Sequence, residues 1–171
     1  MMNAPTDGGG PVRRIGVTGH TRFSDGTDEL VFHAVIAALR RYSGSDLHGV
    51  TCLARGTDQI FARAVLAVDG TFEVIVPAAD YRDRVVDPAN RASFDDLLGR
   101  AVEVRRMPFR RSGRRAYLAA SVAMLDRCDA LIAVWDGNPT RAPGDTADVV
   151  AAARGRRMPV TVLWPVGADR A

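Results

Sequence analysis

Arg14-Ile-Gly-Val-Thr18, stopped by Gly19, is a short run of strand-forming residues, and two further runs of the same kind decide the fold. They are Gly49-Val-Thr-Cys-Leu-Ala54, closed by Arg55-Gly56, and Phe72-Glu-Val-Ile-Val76, stopped by Pro77. A helical stretch lies between each pair. Thr27, Asp28 and Glu29 open the first with a capping hydroxyl and acids in the first turn. Leu30, Val31, Ala34, Val35 and Ala37 carry it at helical spacing to about Tyr42. The second, Thr57 to Val68, is apolar almost all round, the mark of a helix covered on more than one side, and Asp69-Gly70 ends it. Strand, helix, strand, helix, strand is the unit that builds a right-handed parallel sheet.

The second half keeps the rhythm. Helices are expected over Ala89 to Leu98, Arg115 to Asp126 (with Leu118, Val122 and Leu125 on one stripe) and Thr146 to Arg154. Strands are expected at Val102-Glu-Val-Arg-Arg106, Ala130-Leu-Ile-Ala-Val-Trp135 and Pro159-Val-Thr-Val-Leu-Trp164. The expected class is therefore α/β: a single-domain, doubly wound, Rossmann-like three-layer α/β/α fold with a mostly parallel sheet. Its domain runs over 13–166, after a flexible N-terminus at 1–12 and before a short C-terminal tail at 167–171.

Composition agrees with one domain. The chain has 171 residues, of which 47% are apolar and 25% charged, as in an ordinary globular protein. No stretch approaches the roughly 20 apolar residues of a membrane span, and the polar, Gly-rich start has no signal-peptide core. Cys52 and Cys128 sit in apolar runs and read as buried small hydrophobes, without disulfide or metal-ligand spacing. A cytoplasmic location, no metal and no cofactor are the expectations. All basic residues are arginine, and the net charge is +3. The positive surplus lies wholly within Asp80 to Arg115.

In such sheets ligands bind beyond the carboxyl ends of the strands. That rule selects Gly19, His20 and Arg22 after the first strand, and Arg55, Gly56, Thr57 and Asp58 after the second. It also selects Asp136 and Gly137 after the fifth, and Gly144, Asp145 and Thr146 where the last helix starts. Glycines there allow positive φ and close approach of backbone N–H groups to an anion, although plain turn punctuation explains each one equally well. The acids could cap helices or hold ribose hydroxyls. Phe109-Arg-Arg-Ser-Gly-Arg-Arg115 precedes a helix and reads either as a solvated loop or as a mobile phosphate flap carrying Arg111 and Arg114. No G-x-G-x-x-G and no Walker A motif is present.

Three segments together resemble the SLOG superfamily, the Rossmann-like group that contains the Lonely Guy nucleotide hydrolases and the DNA-processing protein A domain. They are Ile15-Gly-Val-Thr-Gly-His20, Leu53-Ala-Arg-Gly-Thr-Asp58, and Ala130 to Gly137 leading to Pro143-Gly-Asp-Thr-Ala-Asp148. The resemblance implies a pocket for a nucleotide-like small molecule and frequent homodimers. Lonely Guy enzymes carry P-G-G-x-G-T-x-x-E, with the glutamate used to cleave the N-glycosidic bond. Here Val149 stands at the glutamate position, and Asp148, one residue early, points roughly 100° away on a helix. The first expectation is therefore a binding domain acting as a sensor or accessory. The second is a nucleotide N-glycosidase or phosphoribohydrolase that uses Asp136 or Asp148 in place of the glutamate. A nucleic-acid binder ranks last, because the basic surplus is small and no aromatics interleave with it. No membrane partner is expected.

Overall fold

In the computed structural model, which describes residues 13–42, 46–139 and 145–171, six strands form one fully parallel sheet. The elements in chain order are β1 (Arg13–Gly19), α1 (Thr27–Leu39), β2 (Leu47–Thr51), α2 (Thr57–Ala67), β3 (Thr71–Val76) and α3 (Tyr81–Arg84). There follow α4 (Arg91–Arg100), β4 (Glu103–Arg106), α5 (Arg114–Asp126), β5 (Ala130–Val134), α6 (Thr146–Gly155) and β6 (Val160–Leu163). The strand order is β4-β3-β2-β1-β5-β6. Order runs outward one way from β1 through β4, and then α5 carries the chain back to the other side of β1. The reversal point lies between β1 and β5.

Strand alternation sorts the side chains into two cores. Ile15, Val17, Phe72, Val74, Ile132 and Val134 face α1, α2 and α4, where Val31, Val35, Ile60, Phe61, Val65 and Phe94 close over them. Val50, Ile75 and Leu131 face the opposite side, where Ala120, Met124, Leu125, Val149 and Ala153 of α5 and α6 cover them. The three-layer expectation is met by a fully parallel sheet. On the α5 side the alternation also buries Glu73, where Arg127 caps α5. Glu73 accepts from both Nε and Nη2 of Arg127, from Arg14 Nη1 at 3.3 Å, and meets His48 Nε2 at 3.3 Å.

Several boundaries differ from the sequence reading, each for a local reason. The second strand ends at Thr51 rather than Ala54, because Leu53 turns the chain with φ 55°. Thr27 does not cap α1: its hydroxyl instead accepts the Asp169 N–H at 3.0 Å. The helix expected from Ala89 begins as a 3₁₀ turn at Pro88–Asn90, capped by Asp87, and becomes α-helical at Arg91. The short helix α3 was not foreseen. The two cysteines are free thiols packed, partly buried, against the core on the α5 and α6 side. The expected tail at 167–171 crosses the strand exits, bonding Ser24 N–H through the Asp169 carbonyl at 2.9 Å and pairing Arg170 with Asp136 at 3.3 Å. The expected flexible N-terminus, 1–12, lies outside the described residues. None of the described helices is long and apolar enough to cross a membrane.

Candidate functional site

Strands flanking a reversal point splay at their carboxyl ends, and the crevice there is the ligand position of this architecture. His20 leaves β1 and is clamped in that crevice. Its N–H donates to the Val134 carbonyl of β5 at 3.2 Å, and its carbonyl accepts from Thr57 N–H at 3.2 Å and Thr57 Oγ1 at 2.9 Å. Gly19 permits this closure: a Cβ there would stand 2.4 Å from Thr57 Oγ1 and 2.7 Å from the Val134 carbonyl oxygen. Gly56 is needed for a second reason. Its φ of 77° with ψ −119° is a glycine conformation, and a Cβ would meet the Thr21 and His20 carbonyl oxygens at 2.7 and 2.9 Å.

Behind this wall, His20 Nε2 lies 3.2 Å from Asp136 Oδ1, and the ring stands edge-on to Trp164 with centroids 5.5 Å apart. Asp136 also accepts the Asn138 N–H at 2.9 Å and pairs with Arg170. Burial pushes the Asp136 carboxyl up, but the Asn138 and His20 hydrogen bonds outweigh it and hold the group below the usual carboxylate range. Asp136 is therefore a charged anchor for His20.

The cleft itself has a volume of about 430 Å³. Gly19, His20 and Thr21 form one wall, with Cys52, Ala54 and Asp58 beside them. Tyr81 and Val85 of the α3 region and Tyr117, Ser121 and Met124 of α5 form the facing wall. Asp145, Thr146 and Val149 close it from the start of α6. The tyrosine rings meet edge-to-face at 6.3 Å, and burial pushes both phenols up, so they are neutral donors. The Cys52 thiol is likewise pushed up by burial and stays protonated. Asp145 caps α6 by accepting the Asp148 N–H at 3.1 Å.

Asp58 is the unusual group. It is buried, opens α2, and reaches back so that Oδ2 accepts the Cys52 and Ala54 N–H groups at 3.2 and 3.3 Å. Burial pushes its carboxyl up to about 6, more than those hydrogen bonds pull it down. A carboxyl raised by burial and lining a cleft is a candidate ligand-binding group.

The structure divides the residue set expected from sequence. Gly19, His20, Asp58, Asp145 and Thr146 share the cleft. Arg22, Arg55 and Gly56 do not; they line a separate polar cavity of about 540 Å³ on the other side of the α2 start, and Thr21 borders both. Thr57 is spent on the His20 carbonyl, and Gly137 makes the turn after β5 with φ 84°. Of the two candidate catalytic acids, Asp136 sits behind His20 and Asp148 is exposed, while Val149 faces the cleft. Gly144, with Arg141 and Pro143, lies outside the described residues. Arg111 and Arg114 are exposed on either side of Ser112, whose N–H and hydroxyl Asp80 holds at 2.6 and 2.7 Å. Arg114 opens α5 one turn before Tyr117. Sequence reasoning missed the α3 and α5 wall, because Tyr81, Tyr117 and Met124 carry no motif.

No protein-family model and no curated protein matches the sequence. Solved structures do match its fold. DNA processing protein A from Streptococcus pneumoniae superposes with a TM-score of 0.64 at 16% identity, over 88% of this chain and 50% of that one. DNA processing protein A from Helicobacter pylori, described for its single-stranded DNA binding mode, gives 0.63 at 15% identity over 89% and 65%. The molybdenum cofactor binding protein from Rippkaea orientalis gives 0.53 at 18% identity over 88% and 76%. The chain thus spans one half to two thirds of the DNA processing proteins it matches. At these identities the likeness establishes the fold alone, a Rossmann-like α/β fold that the chain shares with these proteins.

Proposed function

We propose that the cleft over the exits of β1 and β2, walled by α5 and the start of α6, binds the base and sugar of a nucleotide-type ligand and that the protein acts by holding this ligand rather than by cleaving it. The observation that carries the reading is Val149. Asp145, Thr146 and Val149 face the cleft from the start of α6, and it is Val149 that stands at the position where the resembling hydrolases place their glutamate. Departure of a base builds positive charge on the ribose, and a preorganised charge partner for such a transition state is typically worth on the order of 10² to 10³ in rate. A valine supplies none of it. Tyr81, Tyr117 and Met124 offer apolar and aromatic surface for a base, and Asp58 and Thr146 offer partners for hydroxyls. The cofactor-binding neighbour supports a holding role, and a cytoplasmic homodimer acting as sensor or accessory fits it.

Incubating the protein with adenosine, guanosine, cytidine and uridine monophosphates is expected to release no free base by liquid chromatography, while calorimetry detects binding of at least one nucleoside or nucleotide. Steady turnover that disappears in Asp58→Asn or Asp136→Asn would make the protein an enzyme instead. Single-stranded DNA is the second reading, on the strength of the Helicobacter pylori neighbour; against it, no arginine lines the cleft among the described residues.

A further inference from the structure

The polar cavity beside the cleft, which Asp28 and Asp87 also line, draws its positive charge from three separate elements. Arg22 comes from the loop after β1, Arg55 from the turn after β2, and Arg63 from the second turn of α2. Arg55 is only loosely engaged, 3.7 Å from an exposed Asp87, a distance and exposure at which ion pairs contribute little. Neither Arg22 nor Arg63 has an ion pair among the described residues.

The floor of this trough is fixed and neutral. Buried Gln59 donates to the Leu53 carbonyl at 3.3 Å and to Asn90 Oδ1 at 2.7 Å. Its own oxygen accepts from Asn90 Nδ2 at 3.1 Å and Ser93 Oγ at 3.2 Å. All hydrogen-bonding capacity of the amide is used, so the floor neither competes for the arginines nor gives way beneath a ligand. Arg63 stands four residues after Gln59 and therefore on the same face of α2. Asp58, one residue before Gln59, is turned roughly 100° away and faces the cleft. The first turns of α2 thus divide two chambers, with the Asp58 and Asp145 carboxyls but no guanidinium in one, and three guanidiniums beside the Asp28 and Asp87 carboxyls in the other.

Phosphate meets carboxyls and no guanidinium in the first chamber, whereas in the second three guanidiniums outnumber two carboxyls, and guanidiniums bind phosphoryl oxygens by charge-assisted, bidentate hydrogen bonds. Thr21 is the shared rim across which a ligand could pass from one to the other. We infer that the Arg22–Arg55–Arg63 trough is the phosphate subsite of the molecule whose base and sugar occupy the cleft. The ligand class is then a phosphorylated nucleoside, the diphosphate foremost, since Arg22 and Arg63 offer two guanidiniums without an ion pair among the described residues. The trough as an anion site stands by itself; the assignment of ligand class rests on the proposed use of the cleft.

Calorimetry at low salt tests this with nucleosides, their diphosphates, inorganic pyrophosphate and a short oligothymidylate. The best-bound diphosphate is expected to bind at least tenfold more tightly than its nucleoside. Arg22→Gln/Arg63→Gln, checked for folding by circular dichroism, removes that gain and weakens pyrophosphate at least tenfold, yet leaves the nucleoside unchanged. Arg40→Gln/Arg41→Gln, a charge-matched change at the far end of α1, leaves every affinity in place. The proposal falls if the diphosphate is no tighter than the nucleoside, if both double variants lose equally, or if oligothymidylate outcompetes the diphosphate for the trough. If pyrophosphate binds and is lost in the first variant while no nucleoside binds, the anion site stands, and it is the reading of the cleft, with its ligand class, that fails.

Discussion

Replacing Glu73 with glutamine is expected to lower the unfolding free energy by about 2–4 kcal/mol, somewhat under the usual cost of breaking a buried ion pair, because Arg127 keeps some exposure and a second partner in Glu103. The cause is topological. Alternation along β3 turns Glu73 to the α5 face between His48 and Arg127, with Arg14 reaching in from β1. Removing the carboxylate leaves two guanidiniums and an imidazole around a position with little water. Burial pushes the Glu73 carboxyl up, but the Arg127 and His48 hydrogen bonds overcome this and hold it at about 2. A carboxyl depressed on folding stabilises the protein above its unfolded pKa of about 4.3 and loses that contribution as pH falls toward 2. The wild type should therefore lose about 3 kcal/mol between roughly pH 5 and pH 2 through this group, and Glu73→Gln should show a flatter profile. Urea melts at stepped pH read both effects. Equal stability of the two proteins at pH 7 would show that the network contributes nothing.

Asp58→Asn should move stability the other way. Its carboxyl is raised on folding to about 6, so it is accommodated most easily when protonated. The associated stability is present below the unfolded pKa of about 3.9 and is lost as pH rises through about 6, a difference of order 3 kcal/mol by pH 8. Asparagine keeps an oxygen for the Cys52 and Ala54 N–H groups and carries no charge. The variant is expected to be more stable than wild type by about 1–2 kcal/mol at pH 8 and nearly equal at pH 4. Its affinity for the ligand of the cleft should fall at least tenfold. A variant that loses stability at pH 8, or binds as tightly as wild type, would make Asp58 a structural cap and nothing more.

The contrast between these two acids marks how far the sequence could be read. Strand and helix alternation, with turns at Gly19, Arg55-Gly56 and Asp69-Gly70, was legible because each signal is local. The strand-end rule then points to His20, Asp58, Asp145 and Thr146, which share one cleft. It could not separate Asp58 from Gln59, because a difference of one residue on a helix becomes a choice between two chambers only once α4 is in place. That is why Arg55 and Gly56 were grouped with the cleft they stand behind. The α3 and α5 wall was invisible for the reason that Glu73 was: Tyr81, Tyr117 and Arg127 come from segments distant in sequence. Nothing in the composition of the tail, 167–171, signals that Asp169 and Arg170 close bonds to α1 and the β5 exit.

Backbone amide shifts of isotope-labelled protein, followed by NMR as the tightest-binding nucleotide is added, test the central claim most directly. The account predicts that the amides of Gly19, His20, Asp58, Thr146 and Val149 move most and saturate together. Largest shifts at Met107, Leu118 and Val122, on the outer side of α5, or no shift with any nucleotide, would contradict it.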